Sequence, residues 1–305
     1  MKYAVTRLLQ LIPLLFVLTL VVFILMRLIP GDPVTIMLGH GAPPDAVAVE
    51  RVRLGLDQPF YAQYLLFLKN LLKGDMGVSL STGNTVASEL VRRFPYTLTL
   101  ALGGTVVAAV LGMMAGVVAA VHHNKSIDNT IVTVSMLAIS TPSFFLALLL
   151  MLLFTFLLGW LPSIGLTSWK HAILPVITLG LSGMGLVTRT TRSSMLDVLS
   201  QDYVRTSRSS GIPEKITIYS HALKNALIPV ITVLGLRFGY LLAGATLVET
   251  VFSIPGIGRF MVDGVLKRDY PVVQSTILVF AASFVTINTA VDLLYAFVDP
   301  RIKYE

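Results

Sequence analysis

Six predominantly apolar stretches, about 8–28, 96–121, 130–158, 171–190, 226–249 and 271–298, alternate with polar segments along the chain. A bilayer core of about 30 Å needs roughly 20 apolar residues per helix, and each stretch reaches that length. Several contain proline or glycine, which membrane helices tolerate where neighbours satisfy the freed backbone groups. The pattern predicts an all-α polytopic membrane protein with six transmembrane helices.

Between the first two spans the pattern changes. Pro30 to Pro33 (PGDP) forms a turn-rich exit from the membrane. Apolar residues then recur at helical spacing over Val47–Leu54 and Tyr61–Leu72, with charges between them, until Gly74-Asp75-Met76-Gly77 interrupts. The expectation is a small helical elaboration on the outer membrane face. The chain thus divides into an N-terminus and first span (1–28), an extracytoplasmic helical segment (29–95), a five-helix core (96–298) with a charged loop at 199–229, and a tail (299–305).

Composition agrees: 55% of residues are hydrophobic, 13% are charged and the mean hydropathy is +0.80, which excludes an ordinary soluble domain. With a cytoplasmic N-terminus, the inner segments hold eleven basic residues: Lys2, Arg7, Lys125, Arg189, Arg192, Arg205, Arg208, Lys215, Lys224, Arg301 and Lys303. The two short outer loops hold four, Lys170, Arg259, Lys267 and Arg268. Short loops set orientation, so both termini are expected inside. The net charge of +7 is placed by topology and calls for no nucleic-acid partner. The first apolar run exceeds a signal-peptide core and no small-x-small site follows it, so it reads as an uncleaved span. The absence of cysteine excludes disulfides, thiolate metal sites and thiol chemistry.

Catalytic and metal motifs are not present. There is no phosphate loop, no H-E-x-x-H pair and no nucleophile elbow. His122 and His123 are adjacent, which points them apart on a helix and suits a cytoplasmic turn better than a shared metal. Gly112 with Gly116, and Gly235 with Gly239, have the four-residue spacing that lets helices approach closely in lipid.

The loop 199–229 carries the strongest functional signal. Asp202 to Ser210 is a short helix, and Gly211 supplies the left-handed conformation that ends it. Pro213 suits the first turn of a second helix running through Glu214 to Tyr219 and beyond. Two short helices joined at a glycine make a knob that inserts into a cleft on a soluble partner. The alternative is an amphipathic helix lying on the lipid surface. Arg237 stands about twelve residues into its span, roughly 18 Å deep and near the midplane. A charge there costs at least about 2.5–3.5 kcal/mol unless it faces the bundle interior or water. Asn288 on the last span falls at a similar depth. Two roles stand for Arg237: hydrogen bonding to carbonyls of adjacent spans, or facing the solute. Asp292 and Asp299 read as interfacial anchors or partners of Arg301.

The segment Asp202–Pro229 resembles the coupling loop, or EAA motif, of ABC importer permeases in the peptide and nickel subgroup. Gly211 matches the motif glycine, Arg205, Thr206 and Ser207 occupy the glutamate-alanine-alanine positions, and HALKNALIP runs from His221 to Pro229. Ser209 and Ser210 depart from the subgroup's alanine- and lysine-like pair. The resemblance covers nearly the whole chain: RLLQLIPLLF, IPGDP, LGLDQPFYAQY, KGDMGVSL, RRFPYTLTLAL, STPSFFLALLL, LPSIGL, ILPVITLGL, VETVFSIPGIGR, RDYPVVQ and DPRIK occur in the family's order.

The resemblance implies the type I importer permease fold and the first-permease subunit of a bacterial or archaeal cytoplasmic-membrane transporter. Its implied partners are a homologous second permease, two cytoplasmic ATPases that bind ATP and Mg, an extracytoplasmic solute-binding protein and membrane lipid. It implies a coupling surface that includes Arg205, Thr206, Ser207, Gly211, Pro213, Glu214 and His221. No cofactor is expected in this chain, and the cargo is a peptide, glutathione, nickel or a metal chelate. Two rivals differ in class. An ion-coupled secondary transporter needs carboxylates near the midplane, whereas the acidic residues here cluster at span ends and in loops. An intramembrane enzyme needs a buried catalytic pair, which the sequence does not contain.

Overall fold

The structure, a computed structural model, describes residues 2–28, 33–39, 41–53 and 55–298. Residues 30–32 of the expected exit turn and the tail 299–305, with Asp299, Arg301 and Lys303, lie outside them. The described chain is helical apart from one isolated antiparallel bridge, Val78 to Thr85. The helices are α1 (Lys2–Leu28), α2 (Pro33–Leu38), α3 (Pro44–Arg53), α4 (Phe60–Leu72), α5 (Val86–Val121), α6 (Ser126–Ser140) and α7 (Ser143–Met151). They continue as α8 (Trp169–Leu199), α9 (Asp202–Ser209), α10 (Glu214–Ile216), α11 (Leu223–Gly244), α12 (Thr246–Val251), α13 (Ile257–Leu266) and α14 (Tyr270–Val298). Wide π turns follow α7 at Leu152–Leu157 and join α10 to α11 at Thr217–Ala222.

Among the described residues four helices are long and apolar enough to cross a bilayer: Val86–Val121, Trp169–Leu199, the run Glu214–Ala243 and Tyr270–Val291. A fifth exists if Ser126–Ser140 and Ser143–Leu157 count together, although they meet at 100°. The continuous span expected over 130–158 is therefore broken. Thr141 precedes Pro142, whose ring excludes the α conformation from its neighbour, and Thr141 is extended at φ −81, ψ 121. Within α1 the apolar stretch found among the described residues is Leu9–Leu25. Of the six expected spans, the described residues show four, or five with the bent pair counted as one.

The chain divides into two compact units, Met1–Pro95 with Gly256–Ser283, and Tyr96–Pro255 with Phe284–Glu305. In the first, α4 presents Phe60, Tyr64 and Phe67 at helical spacing to Phe23 of α1, with ring centroids 5.1, 5.1 and 5.7 Å away. Tyr64 also keeps its hydroxyl satisfied, 3.0 Å from Thr19 Oγ1. Asp269, fully buried, organises the turn between α13 and α14. Its Oδ2 accepts from Ser79 Oγ at 2.6 Å and from the Ser81 amide at 3.0 Å, while Oδ1 lies 3.4 Å from the Val272 amide in the first turn of α14. One carboxylate thus caps a helix and ties down the 77–86 hairpin.

In the second unit, Leu100, Ala147, Leu174, Leu179, Leu241, Val248 and Phe252 form the main buried cluster. Apolar side chains gain nothing from leaving water when the surroundings are lipid, so close backbone approach carries much of the packing. A Cβ at Gly112 would press on Val187 of α8, one at Gly116 on Thr191, and one at Gly235 on Val291 of α14. Both glycine pairs do the packing their spacing predicts. Glu249 is fully buried and accepts a 2.6 Å hydrogen bond from Thr97 Oγ1.

Candidate functional site

The loop 199–229 is built on a helix stop. α9 ends in a Schellman arrangement: the Gly211 amide donates to the Arg208 carbonyl at 3.1 Å and the Ile212 amide to the Ser207 carbonyl at 3.2 Å. Gly211 has φ +76, a conformation side chains rarely adopt, and open space where a Cβ would lie. Its requirement is conformational, not steric.

Pro213 sits one residue earlier than expected. It precedes α10 at φ −52, ψ 135, and its carbonyl accepts from the Ile216 and Thr217 amides. The second short helix is also not a separate element. α10, the π turn and α11 form one run, Glu214–Ala243, because nothing between Glu214 and Leu223 breaks helical hydrogen bonding. The knob is one short helix folded back on the root of a span.

Side chains close that fold. Arg208 donates from Nη2 to Glu214 Oε1 at 2.7 Å and from Nε to Oε2 at 3.2 Å, across the glycine turn. Both groups are partly exposed, and the carboxylate beside Arg208 raises the guanidinium pKa. Asn225 Nδ2 donates to the Tyr203 hydroxyl at 2.7 Å and to the His221 carbonyl at 3.2 Å. Val204 is completely buried on the inner face of α9. Beneath the loop, Ile218, Ala222 and Ala226 pack with Met195 of α8 and with Val117 and Ala120 of α5. The outer face is left free: Arg205 is exposed, with Asp202 3.5 Å away, and Tyr203, Ile216 and Tyr219 present apolar surface to the outside. Thr206 is exposed and returns its hydroxyl to the Asp202 carbonyl at 3.0 Å, while Ser207 is half-buried.

Of the expected coupling residues, Arg205, Thr206, Gly211, Pro213 and Glu214 share this exposed surface. His221 contributes its carbonyl to the brace behind it. Sequence reasoning missed Arg208 and Tyr203, whose partners lie across a turn where helical spacing no longer applies. It also missed Asp128. This carboxylate is 1% exposed and takes a forked pair from Arg192, Nε to Oδ1 at 2.6 Å and Nη2 to Oδ2 at 2.7 Å. The Asn124 amide donates to Oδ2 at 2.9 Å, and His123 Nδ1 lies 3.1 Å from Arg192 Nη2. His122 and His123 do occupy the turn between α5 and α6, and no cluster of metal-binding side chains occurs among the described residues.

Arg237 points at α8. Its Nη2 donates to the Leu179 carbonyl and, at 3.1 Å, to Ser182 Oγ. Nε is buried with no hydrogen-bond partner, as is Asn288 Oδ1 on α14. Arg237 makes no hydrogen bond to Asn288, although α11 and α14 meet closely at Gly235 and Gly239. Because α11 ends at Gly244 instead of reaching 249, Arg237 lies seven residues, about 10 Å, from that end.

Residues 108–304 match the family described as binding-protein-dependent transport system inner membrane component, and residues 1–101 match its N-terminal membrane component. The chain belongs to this family. The permease is 44% identical over 305 residues, the full length of both chains, to the glutathione transport system permease protein GsiC of Escherichia coli K12. The same identity and coverage hold for GsiC of Shigella dysenteriae serotype 1. Its fold is similar to inward-facing conformations of the MetNI methionine ABC transporter, with a TM-score of 0.61 at 17% identity, covering 69% of this chain and 96% of that one. A second crystal form of MetNI gives 0.59 at 19% identity with the same coverage. The protein is a multi-pass permease subunit of an ABC importer.

Proposed function

We propose that the permease carries a peptide-class solute, glutathione or a similar small peptide, into the cytoplasm, as the first-permease partner in a heterodimer with a homologous second permease. The full-length likeness to the GsiC permeases supports that cargo. In this reading six spans form when α1 and the bent pair α6–α7 each cross the membrane, and 29–95 lies on the outer face, where a loaded solute-binding protein docks. Both termini are cytoplasmic, as the eleven-to-four excess of basic residues supports. The exposed surface of Arg205, Thr206, Gly211, Pro213 and Glu214, with half-buried Ser207 among them and braced by His221, meets a cytoplasmic ATPase, and ATP with Mg is hydrolysed there and not on this chain.

The observation that carries this reading is the helical run Glu214–Ala243, which joins the Gly211 turn at one end to Arg237 near the other. A displacement of the loop by ATPase closure reaches the segment that holds the intramembrane cation, as alternation between two discrete states requires. Arg237 and Asn288 then line the pathway, with the guanidinium available to a cargo carboxylate. The test is uptake of radiolabelled glutathione and small peptides by the complete complex in proteoliposomes. Native complexes should accumulate cargo with ATP inside. Arg237→Gln should lose uptake of anionic cargo while complex assembly and basal ATP hydrolysis persist. Loss of assembly together with all transport would assign Arg237 a purely structural role.

A further inference from the structure

Three glycines lie within six residues on α8, Gly180, Gly183 and Gly185, and they face different neighbours. A Cβ at Gly180 would meet Val107 of α5, and one at Gly185 would meet the Ser135 carbonyl and Ile139 of α6. These two admit neighbouring helices. Gly183 admits none: the nearest atoms around its missing Cβ are Cζ, Nε and Nη2 of Arg237. The guanidinium takes the space a Gly183 Cβ would occupy, with the Leu179 carbonyl and Ser182 hydroxyl as its acceptors. A glycine inside a helix costs roughly 1 kcal/mol relative to alanine, so this position keeps a residue that the helix itself does not favour.

We propose that Gly183 is a specificity-determining seat: it stows the Arg237 guanidinium on α8 in this state, and Arg237 leaves it to take a carboxylate of the cargo. The inference rests on the reading of Arg237 as a pathway cation. Two features make the stowed state a resting place and not a permanent bond. Its acceptors are a carbonyl already inside a helix and a neutral hydroxyl, both weaker partners than a carboxylate, which forms charge-assisted, forked pairs with arginine. Moreover Nε, which with Nη2 forms one edge of that fork, has no acceptor on α8. A cargo carboxylate therefore satisfies a donor that the seat leaves empty. The same two acceptors on α8 let Arg237 retire when cargo must go on. Gly183 touches no cargo; it is a positioning residue that acts through Arg237.

Gly183→Ala fills the seat. The measurement is uptake, by the complete complex, of a small peptide with a free C-terminal carboxylate and of its C-terminal amide. The same solute-binding protein serves every arm, so its own preference cancels. The native complex should favour the acid. Without a place to retire, Arg237 holds the acid too long, and the acid-to-amide ratio should fall roughly tenfold, the scale of one hydrogen bond to a charged group. In the Arg237→Gln background the ratio should be lowered already, and adding Gly183→Ala should not change it further. A native ratio no higher than that of Arg237→Gln removes the pathway reading. A normal response to Arg237→Gln with no response to Gly183→Ala overturns the seat alone. Thermal unfolding gives a second readout if Gly183→Ala impairs assembly. With Arg237 present the alanine should lower the unfolding temperature, whereas with Arg237→Ala it should raise it, because the helix then gains a better residue and loses no contact. The same sign in both backgrounds would make Gly183 an ordinary packing glycine and end the proposal.

Discussion

Glu214 accepts both of its hydrogen bonds from Arg208 across the Gly211 turn, 2.7 Å from Nη2 and 3.2 Å from Nε. The pair joins the last turn of a short helix to the first residue of a long one, so it sets the angle at which α9 leaves the membrane-crossing run. Its energetic weight is small, because both side chains are partly exposed. Its geometric weight is larger, since together with the Asn225–Tyr203 bond it ties α9 to that run across the turn.

Glu214→Gln keeps the shape and removes the charge. The stability loss should stay below about 1 kcal/mol and vanish at high salt, as for exposed ion pairs generally. Cargo-stimulated ATP hydrolysis should drop by more than the stability change accounts for. Thermal unfolding at two salt concentrations, with ATPase assays on the assembled complex, checks both. A large, salt-independent loss of stability would contradict the exposed placement.

Gly211→Val should strain the backbone by about 1–2 kcal/mol without any clash, because φ is +76 and the space beside the residue is open. Gly211→Asn should recover most of the loss, since asparagine tolerates the left-handed region. The readout is the ratio of cargo-stimulated to basal ATP hydrolysis. Equal defects in the two variants would mean that the position is crowded by a partner and not strained.

Removing Asp128 alone strands Arg192 beside a buried site, and Asp128→Ala should cost about 3–5 kcal/mol. Asp128→Leu with Arg192→Met should recover a large part of that loss, because the desolvation of two charges disappears together. Thermal unfolding of single and double variants decides it. If the double variant is no better than the singles, the backbone bond from Asn124, not the ion pair, holds this turn.

Orientation is open to a direct chemical test in a chain without cysteine. Ser81 and Ser209 are both exposed. In sealed cells an impermeant maleimide should label Ser81→Cys and spare Ser209→Cys until the membrane is permeabilised. External labelling of Ser209→Cys would reverse the topology and with it the assignment of the coupling surface.

The parts of this structure that were legible in the sequence are those governed by local rules. The glycine pairs 112/116 and 235/239 announced helix contacts because no other residue lets backbones approach so closely in lipid. Gly211 announced a helix stop because positive φ is costly for other residues. The break at Thr141-Pro142 was written in the chain as well, but unbroken apolarity on both sides concealed it. What stayed hidden depends on distant contacts. The partners of Arg237 lie 55 and 58 residues away on α8, and the Asp128–Arg192 pair spans 64. No periodicity within one helix points to such neighbours. Nor does spacing reveal that Gly183 differs in purpose from Gly180 and Gly185 beside it.

The run Glu214–Ala243 contains Pro229, which removes the amide that the Asn225 carbonyl would otherwise receive and weakens the ladder there. With the π turn at Thr217–Ala222 it leaves two compliant places, both on the side of the Gly211 turn, while the stretch beyond is gripped at Gly235 by Val291 and at Arg237 by α8. Mechanically this is an articulated strut and not a stiff rod: thrust from the loop is first spent in flexing the joints, and only travel beyond their slack moves the clamped end. Such a linkage filters small thermal jostling of the loop while passing a large displacement.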